Sequence, residues 1–114
     1  MTESNDQGAG RELLRRHESN PLLRAGDWPY PVNAVFNPAA TCLASGETLL
    51  LVRVEDRSGR SHLTAARSVD GVTGWRIDPE PTLVGDPDQP ESEGWGIEDA
   101  RIVYLEELDK YAVT

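Results

Sequence analysis

The sequence predicts an all-β fold, and three features support that prediction. Short runs of aliphatic and β-branched residues follow one another from residue 33 onward. Turn-forming residues separate these runs, and helix-forming residues are concentrated in one short segment near the start. At 38% hydrophobic residues with three tryptophans, the 114-residue chain has core material for one domain at most.

The first 32 residues are predicted to form a leader that is separate from the β domain of residues 33–114. Residues 1–10 are polar, and we expect them to be disordered. Residues 11–18 contain good helix formers, and we expect a short helix that ends before Asn20-Pro21.

The β domain is predicted to begin with one antiparallel sheet of four strands. These strands are expected over residues 41–44, 48–55, 61–68 and 74–78, joined by turns at 45–46, 56–60 and 70–71. After a loop rich in proline, glycine and acidic residues, two more strands are expected over residues 101–105 and 110–114. This restart suggests one blade of a β-propeller and the first hairpin of a second.

Propellers close with roughly 4–8 blades, so we expect this chain to be the N-terminal part of a larger propeller. A small self-contained β sheet with an N-terminal helix is the alternative.

Charge and composition argue against several classes of function. Eleven basic against 20 acidic residues give a formal charge of −9, which disfavours binding to nucleic acid or to an anionic membrane. The start of the chain lacks a secretory pattern and no apolar stretch is long enough to span a membrane, so we expect a cytoplasmic protein. Cys42 is the single cysteine, and we expect a buried structural thiol.

Two adjacent acids follow a flexible loop, within Gly94-Trp95-Gly96-Ile97-Glu98-Asp99-Ala100-Arg101. In an extended backbone Glu98 and Asp99 would project in opposite directions. One of them would then reach a substrate while the other bound Arg101 or the backbone. A solvated acidic turn is the alternative.

Arg53 interrupts an apolar strand. Strand alternation places it on the same face as Leu49 and Leu51, so its guanidinium needs a carboxylate, a ligand or water. A salt bridge with an acid such as Asp99 and a role in ligand binding both remain open.

Three further motifs have a structural alternative. Asn37 precedes Pro38, which favours an extended amide able to bind sugar hydroxyls, although Asn-Pro is also a turn signal. His62 is expected to be structural, and no metal site is supported. The Ser68-x-Asp70-Gly71 turn, followed by Trp75, is expected to cap a hairpin as the aspartate-box turns of sugar-active propellers do, with the tryptophan packing between blades.

Taken in order, these motifs resemble glycoside hydrolase family 130, the β-mannoside phosphorylases. The resemblance extends from about Asn33 to Thr114 and depends on the order of five segments: Asn37-Pro38-Ala39-Ala40, Leu50 to Asp56, Ser61-His62-Leu63, Ala66 to Gly71, and Gly96-Ile97-Glu98-Asp99-Ala100-Arg101-Ile102. It implies a five-bladed β-propeller with the active site on its axis.

The resemblance also implies a reaction. Asp99 would be the proton donor for cleavage of a β-mannosidic bond, acting through a sugar hydroxyl, while inorganic phosphate attacks the anomeric carbon with inversion to give α-mannose 1-phosphate. Asn37 and Arg53 would line the mannose site. The substrate-binding residues would also include Arg60, near phosphate or the acceptor sugar, and Glu98 and Arg101. Phosphate would be a co-substrate, with no other cofactor.

One position departs from the family pattern, because Ala100 stands where the family has proline and leaves Asp99 less constrained. The family's phosphate-binding residues lie mostly in later blades. An inverting β-mannoside hydrolase and a non-catalytic sugar-binding propeller, with Trp95 stacked on a sugar, therefore remain alternatives. A homo-oligomer of the full-length protein is also left open.

Overall fold

The computed structural model describes residue 10 and residues 12–114, and within them it contains two antiparallel sheets. The first sheet has the order β1-β2-β3-β4 and the second pairs β5 with β6. The strands are β1 Ala34–Cys42, β2 Thr48–Glu55, β3 Ser61–Ser68, β4 Arg76–Ile77, β5 Ile102–Leu105 and β6 Lys110–Val113. A four-residue helix, α1, spans Pro90–Glu93, and 3₁₀ turns span Ala25–Asp27 and Glu106–Leu108. The all-β prediction is confirmed, whereas the propeller stays a prediction.

The bounds of β2 and β3 agree with the sequence prediction, but those of β1 do not. β1 begins at Ala34 rather than at residue 41, because the Asn37-Pro38 pair forms a bulge inside the strand instead of a turn before it. The register shifts between Phe36 and Ala39, while pairing with β2 continues on both sides of the shift.

The predicted helix over residues 11–18 is wrong for the residues that the structure describes. Residues 12–17 have no regular structure, and a turn follows at residues 18–19. Leu13 and Leu14 are 90% and 87% exposed, so no apolar face is buried to stabilise so short a helix. Arg11 and the predicted disordered leader, apart from Gly10, lie outside the described residues.

Both faces of the first sheet are covered. On one face Trp28 packs with Val52, Val54 and Ala66, so residues of the N-terminal segment cover the sheet there. On the other face, Leu51 and Leu63 pack with Ala100, and the partly buried Ile97 packs against this cluster. Ile97 and Ala100 flank Glu98 and Asp99 in the chain, so core packing holds both ends of this acidic pair on the sheet.

His62 joins the N-terminal segment to β3. Its Nε2 lies 2.7 Å from the Tyr30 hydroxyl, which lies 2.5 Å from Oγ1 of Thr64. Burial lowers the pKa of His62 and favours the neutral ring. These contacts fit a structural histidine. In residues 12–114 the structure shows no group of three His, Cys, Asp or Glu side chains that could hold a metal ion.

The prediction of a buried Cys42 is wrong. The thiol is exposed, because Cys42 is the last residue of β1, which pairs with β2 alone and forms an edge of the sheet. Among the described residues there is also no helix that is long and apolar enough to span a membrane.

The turn between β3 and β4 is held by Ser68 and Asp70, as the sequence predicts. Asp70 Oδ1 accepts hydrogen bonds from the backbone N–H groups of Val72 and Thr73 at 2.8 and 2.7 Å. Hydrogen bonds from the side chain and N–H of Thr73 hold the pKa of Asp70 far below its usual range. Their stabilisation is therefore present above the unfolded pKa of an aspartate and is lost only as the pH falls through the lower folded value.

Replacing Ser68 should destabilise the protein measurably. The fully buried Ser68 hydroxyl lies 2.5 Å from the Thr73 carbonyl oxygen and accepts a hydrogen bond from the Gly71 N–H at 3.0 Å. Ser68→Ala leaves both backbone groups without that partner, so we expect the free energy of unfolding to fall by about 1–3 kcal/mol in urea denaturation. Ser45→Ala is the matched control, since exposed Ser45 makes a single 3.3 Å bond in its turn. Equal effects of the two variants would contradict the assigned role of Ser68.

Candidate active site

A partly buried arginine and two carboxylates form the centre of the candidate site. Nη2 of Arg53 lies 2.8 Å from Oε1 of Glu98, and its Nη1 lies 2.9 Å from Oδ1 of Asp99. The Arg53 side chain is 14% exposed, whereas those of Glu98 and Asp99 are 53% and 58% exposed. One guanidinium therefore holds both acids at the surface. Of the two alternatives for Arg53, a salt bridge and ligand binding, the structure shows the salt bridge.

The position of Arg53 follows from strand register. It pairs with Phe36 on β1 and with Leu63 on β3, and the Phe36 ring centroid lies 4.6 Å from its guanidinium carbon. Nε donates a hydrogen bond to Oγ of Ser61 at 3.0 Å. The aromatic face and the hydroxyl stabilise a cation that has lost much of its water.

The acids do not project in opposite directions, so that prediction is wrong. Asp99 has φ 45°, a left-handed conformation that departs from an extended strand. This local bend brings its carboxylate to the same guanidinium as Glu98.

Asn37 completes the cluster from the bulge in β1. Its Nδ2 donates a hydrogen bond to Oδ1 of Asp99 at 3.0 Å. Asn37 has φ 43°, so the prediction of an extended amide before Pro38 is also wrong. Asparagine tolerates the left-handed region better than most residues, and the bulge brings its amide to the acid.

The contacts of Asp99 favour its carboxylate form. The hydrogen bond from Asn37, followed by that from Arg53, lowers the pKa of Asp99 below its ordinary value. As a carboxylate, Asp99 can accept a hydrogen bond from a hydroxyl group. A role as proton donor would require other contacts that raise this pKa.

An open cleft of about 480 Å³ lies beside Asp99 and is lined in part by Asn37, Pro38 and Arg101. Arg101 also pairs through its backbone with Thr114, which extends the β5–β6 ladder by one residue. The volume of the cleft lies within the range of small-molecule binding sites in proteins.

Of the predicted site residues, five are gathered at this place: Asn37, Arg53, Glu98, Asp99 and Arg101. Arg60 is not among them, because it is exposed on the β2–β3 turn and lines a different depression with Asp56 and His62. Trp95 is 81% exposed. It lies two residues before Ile97, which packs on the sheet and directly precedes Glu98 and Asp99. Sequence reasoning missed the contacts of Phe36 and Ser61 with Arg53, which only the pairing register of three strands reveals.

Comparison with known proteins supports the fold rather than a family. No protein-family model and no curated protein matches the chain. Among solved structures, a crystal structure of a glycosyl hydrolase from Bacteroides ovatus matches with a TM-score of 0.67 and 26% identity. The match covers 87% of this chain and 40% of that one, so this chain spans less than half the length of the enzyme. The chain thus has a glycoside hydrolase-like fold.

Proposed function

We propose that this chain carries the proton-donor region of an inverting enzyme that cleaves β-mannosides by phosphorolysis. The observation that supports the proposal best is the Asn37–Arg53–Glu98–Asp99 cluster at the edge of an open cleft. The likeness to a glycosyl hydrolase supports cleavage of a glycosidic bond. The choice of β-mannosides and phosphate comes from the sequence resemblance.

In this mechanism Asp99 supplies the proton and the other cluster residues hold the sugar and the acid. The bond between the anomeric carbon and the glycosidic oxygen breaks as a phosphate oxygen attacks that carbon from the opposite face. A sugar hydroxyl passes its proton to the leaving oxygen and takes one from Asp99, which ends as a carboxylate. Asn37 and Arg101 line the sugar cleft, and Arg53 stabilises the carboxylate that forms.

Protonation of Asp99 is the energetic requirement of this role. The Asp99 carboxylate accepts hydrogen bonds from Asn37 and Arg53, both of which favour the charged form. A sugar that draws the Asn37 amide into its own hydrogen bonds and excludes water from Asp99 raises the pKa of the acid. Substrate binding and proton loading are therefore coupled.

Hydrolysis of the same bond is the second candidate, because the matching solved structure is named a glycosyl hydrolase. The distinction depends on the nucleophile, which is water in one reaction and phosphate in the other. Product analysis separates them directly. The gene product at its natural length is incubated with β-1,4-mannobiose and with β-1,4-mannosyl-glucose, with and without phosphate.

Mannose 1-phosphate that forms only with phosphate is the expected result. Free mannose formed regardless of phosphate would replace phosphorolysis by hydrolysis. Binding of either sugar without any product would favour a non-catalytic sugar-binding protein.

Asp99→Asn should abolish most of the turnover while sugar binding is retained. The amide keeps the shape and an acceptor oxygen but cannot donate the required proton, so we expect kcat to fall by roughly 10²–10⁴-fold. Steady-state kinetics and sugar titration by calorimetry measure the two effects. Asp109→Asn is the matched control, since Asp109 also has a left-handed backbone at φ 49° but binds Tyr104. Full activity of Asp99→Asn would exclude Asp99 as the proton donor.

Asn37→Gly should shift the pH dependence of the reaction. Glycine accepts the positive φ of this position, so the variant removes the amide with little backbone strain. Loss of the largest contribution that lowers the pKa of Asp99 raises that pKa, and the protonated acid persists to higher pH. We therefore expect the basic limb of the kcat/KM profile to move to higher pH.

Asn33→Gly provides the control for this shift, because the Asn33 amide binds Glu55 at 2.7 Å, outside the cluster. The control should leave the basic limb in place. An Asn37→Gly profile that coincides with the wild-type profile would show that Asp99 is not the group titrating on that limb.

A further inference from the structure

We propose that Ser61 is a positioning residue that sets the geometry of both partners in the Arg53–Asp99 ion pair. Its side chain orients the guanidinium, and its main chain anchors the loop that carries the acids. The catalytic consequence rests on the proposed function, whereas the positioning itself can be tested without any activity.

The side chain of Ser61 acts on Arg53. Ser61 is 3% exposed at the start of β3, and its Oγ accepts the hydrogen bond from Nε of Arg53 at 3.0 Å. A guanidinium is planar, so a fixed Nε on one edge restricts the directions of Nη1 and Nη2. Phe36 packs against the guanidinium, which further limits rotation. The two remaining nitrogens then point to Asp99 and Glu98.

The main chain of Ser61 acts on the acid loop. The Ile97 N–H donates a hydrogen bond to the Ser61 carbonyl oxygen at 2.9 Å, and Gly96 forms a parallel bridge with Ser61. A Cβ on Gly96 would lie 2.0 Å from that oxygen, and Gly96 has φ 98°, so only glycine fits this approach. The loop is thus fixed against Ser61 immediately before Glu98 and Asp99.

Ser61 therefore contacts both sides of the ion pair: its side chain binds Arg53, and its main chain binds the loop that carries Asp99. Without the Ser61 hydroxyl, Nε of a largely buried guanidinium loses its acceptor, and rotation to recover one weakens the contacts with both acids. Asn37 and Arg53 bind Asp99 directly, Glu98 binds the same guanidinium, and Arg101 lines the cleft with Asp99. Of these, Arg53 depends on Ser61 for its orientation.

The test measures the titration of the Asp99 carboxyl by NMR, using aspartate labelled with ¹³C at the carboxyl carbon and assignment by Asp99→Asn. In Ser61→Ala we expect the Asp99 midpoint to rise by about half a pH unit or more, because Arg53 no longer holds the charged form as closely. Ser61→Thr retains the hydroxyl acceptor and should restore the wild-type midpoint. If Ser61→Ala does not fold, the same titration is made on Ser61→Cys, whose thiol is close in size but a weaker acceptor.

Ser58→Ala is the matched control on the same hairpin. The Ser58 hydroxyl binds Oδ1 of Asp56 at 2.6 Å, and this bond is the main cause of the lowered pKa of Asp56. The control should therefore raise the midpoint of Asp56 and leave that of Asp99 unchanged.

The outcomes separate the two proposals. An unchanged Asp99 midpoint in folded Ser61→Ala, or in Ser61→Cys, would overturn the positioning role whatever the activity. A raised midpoint with a roughly 10–100-fold lower kcat, while KM changes little, would support both proposals. A raised midpoint with unchanged kcat and pH profile would support the role of Ser61 and contradict that of Asp99 as the proton donor.

Discussion

The partly desolvated charge of Arg53 is the constraint on which the site depends. A guanidinium placed on a strand between apolar neighbours requires compensating groups, and the chain supplies a hydroxyl, an aromatic face and two carboxylates. The carboxylates come from a loop that is itself packed on the sheet through Ile97 and Ala100. Core packing and charge neutralisation thus act together to hold Glu98 and Asp99 beside an open cleft.

The contacts that assemble this site also keep its acid ionised before substrate binds. Asn37 and Arg53 both favour the carboxylate form of Asp99, which suits hydrogen bonding to a sugar but opposes proton donation. In the proposed mechanism, the sugar changes this balance by competing for the amide and by excluding water. The free energy of binding then contributes to loading the proton as well as to holding the substrate.

Local patterns in the sequence predicted the parts of the structure that local physics determines. Short runs of aliphatic and β-branched residues between turn residues predicted β2 and β3, and Arg53 stood out because it interrupts an apolar run. The bulge at Asn37 and the left-handed Asp99 were not predicted, since both depend on contacts made across the fold. The predicted N-terminal helix is absent from the described residues, where Leu13 and Leu14 are exposed and bury no apolar face. Cys42 is exposed because β1 is an edge strand. The contact of Ser61 with Arg53 was not predicted because it depends on the register of β2 with β3.

The central claim is that the Asn37–Arg53–Glu98–Asp99 cluster binds the sugar whose glycosidic bond is cleaved. A crystal structure of the Asp99→Asn variant of the natural-length protein with β-1,4-mannobiose tests it most directly. We expect a mannose ring in the cleft, with a hydroxyl within hydrogen-bond distance of residue 99 and of the Asn37 amide. A disaccharide bound elsewhere, with the cleft beside the Arg53 cluster empty, would contradict the account.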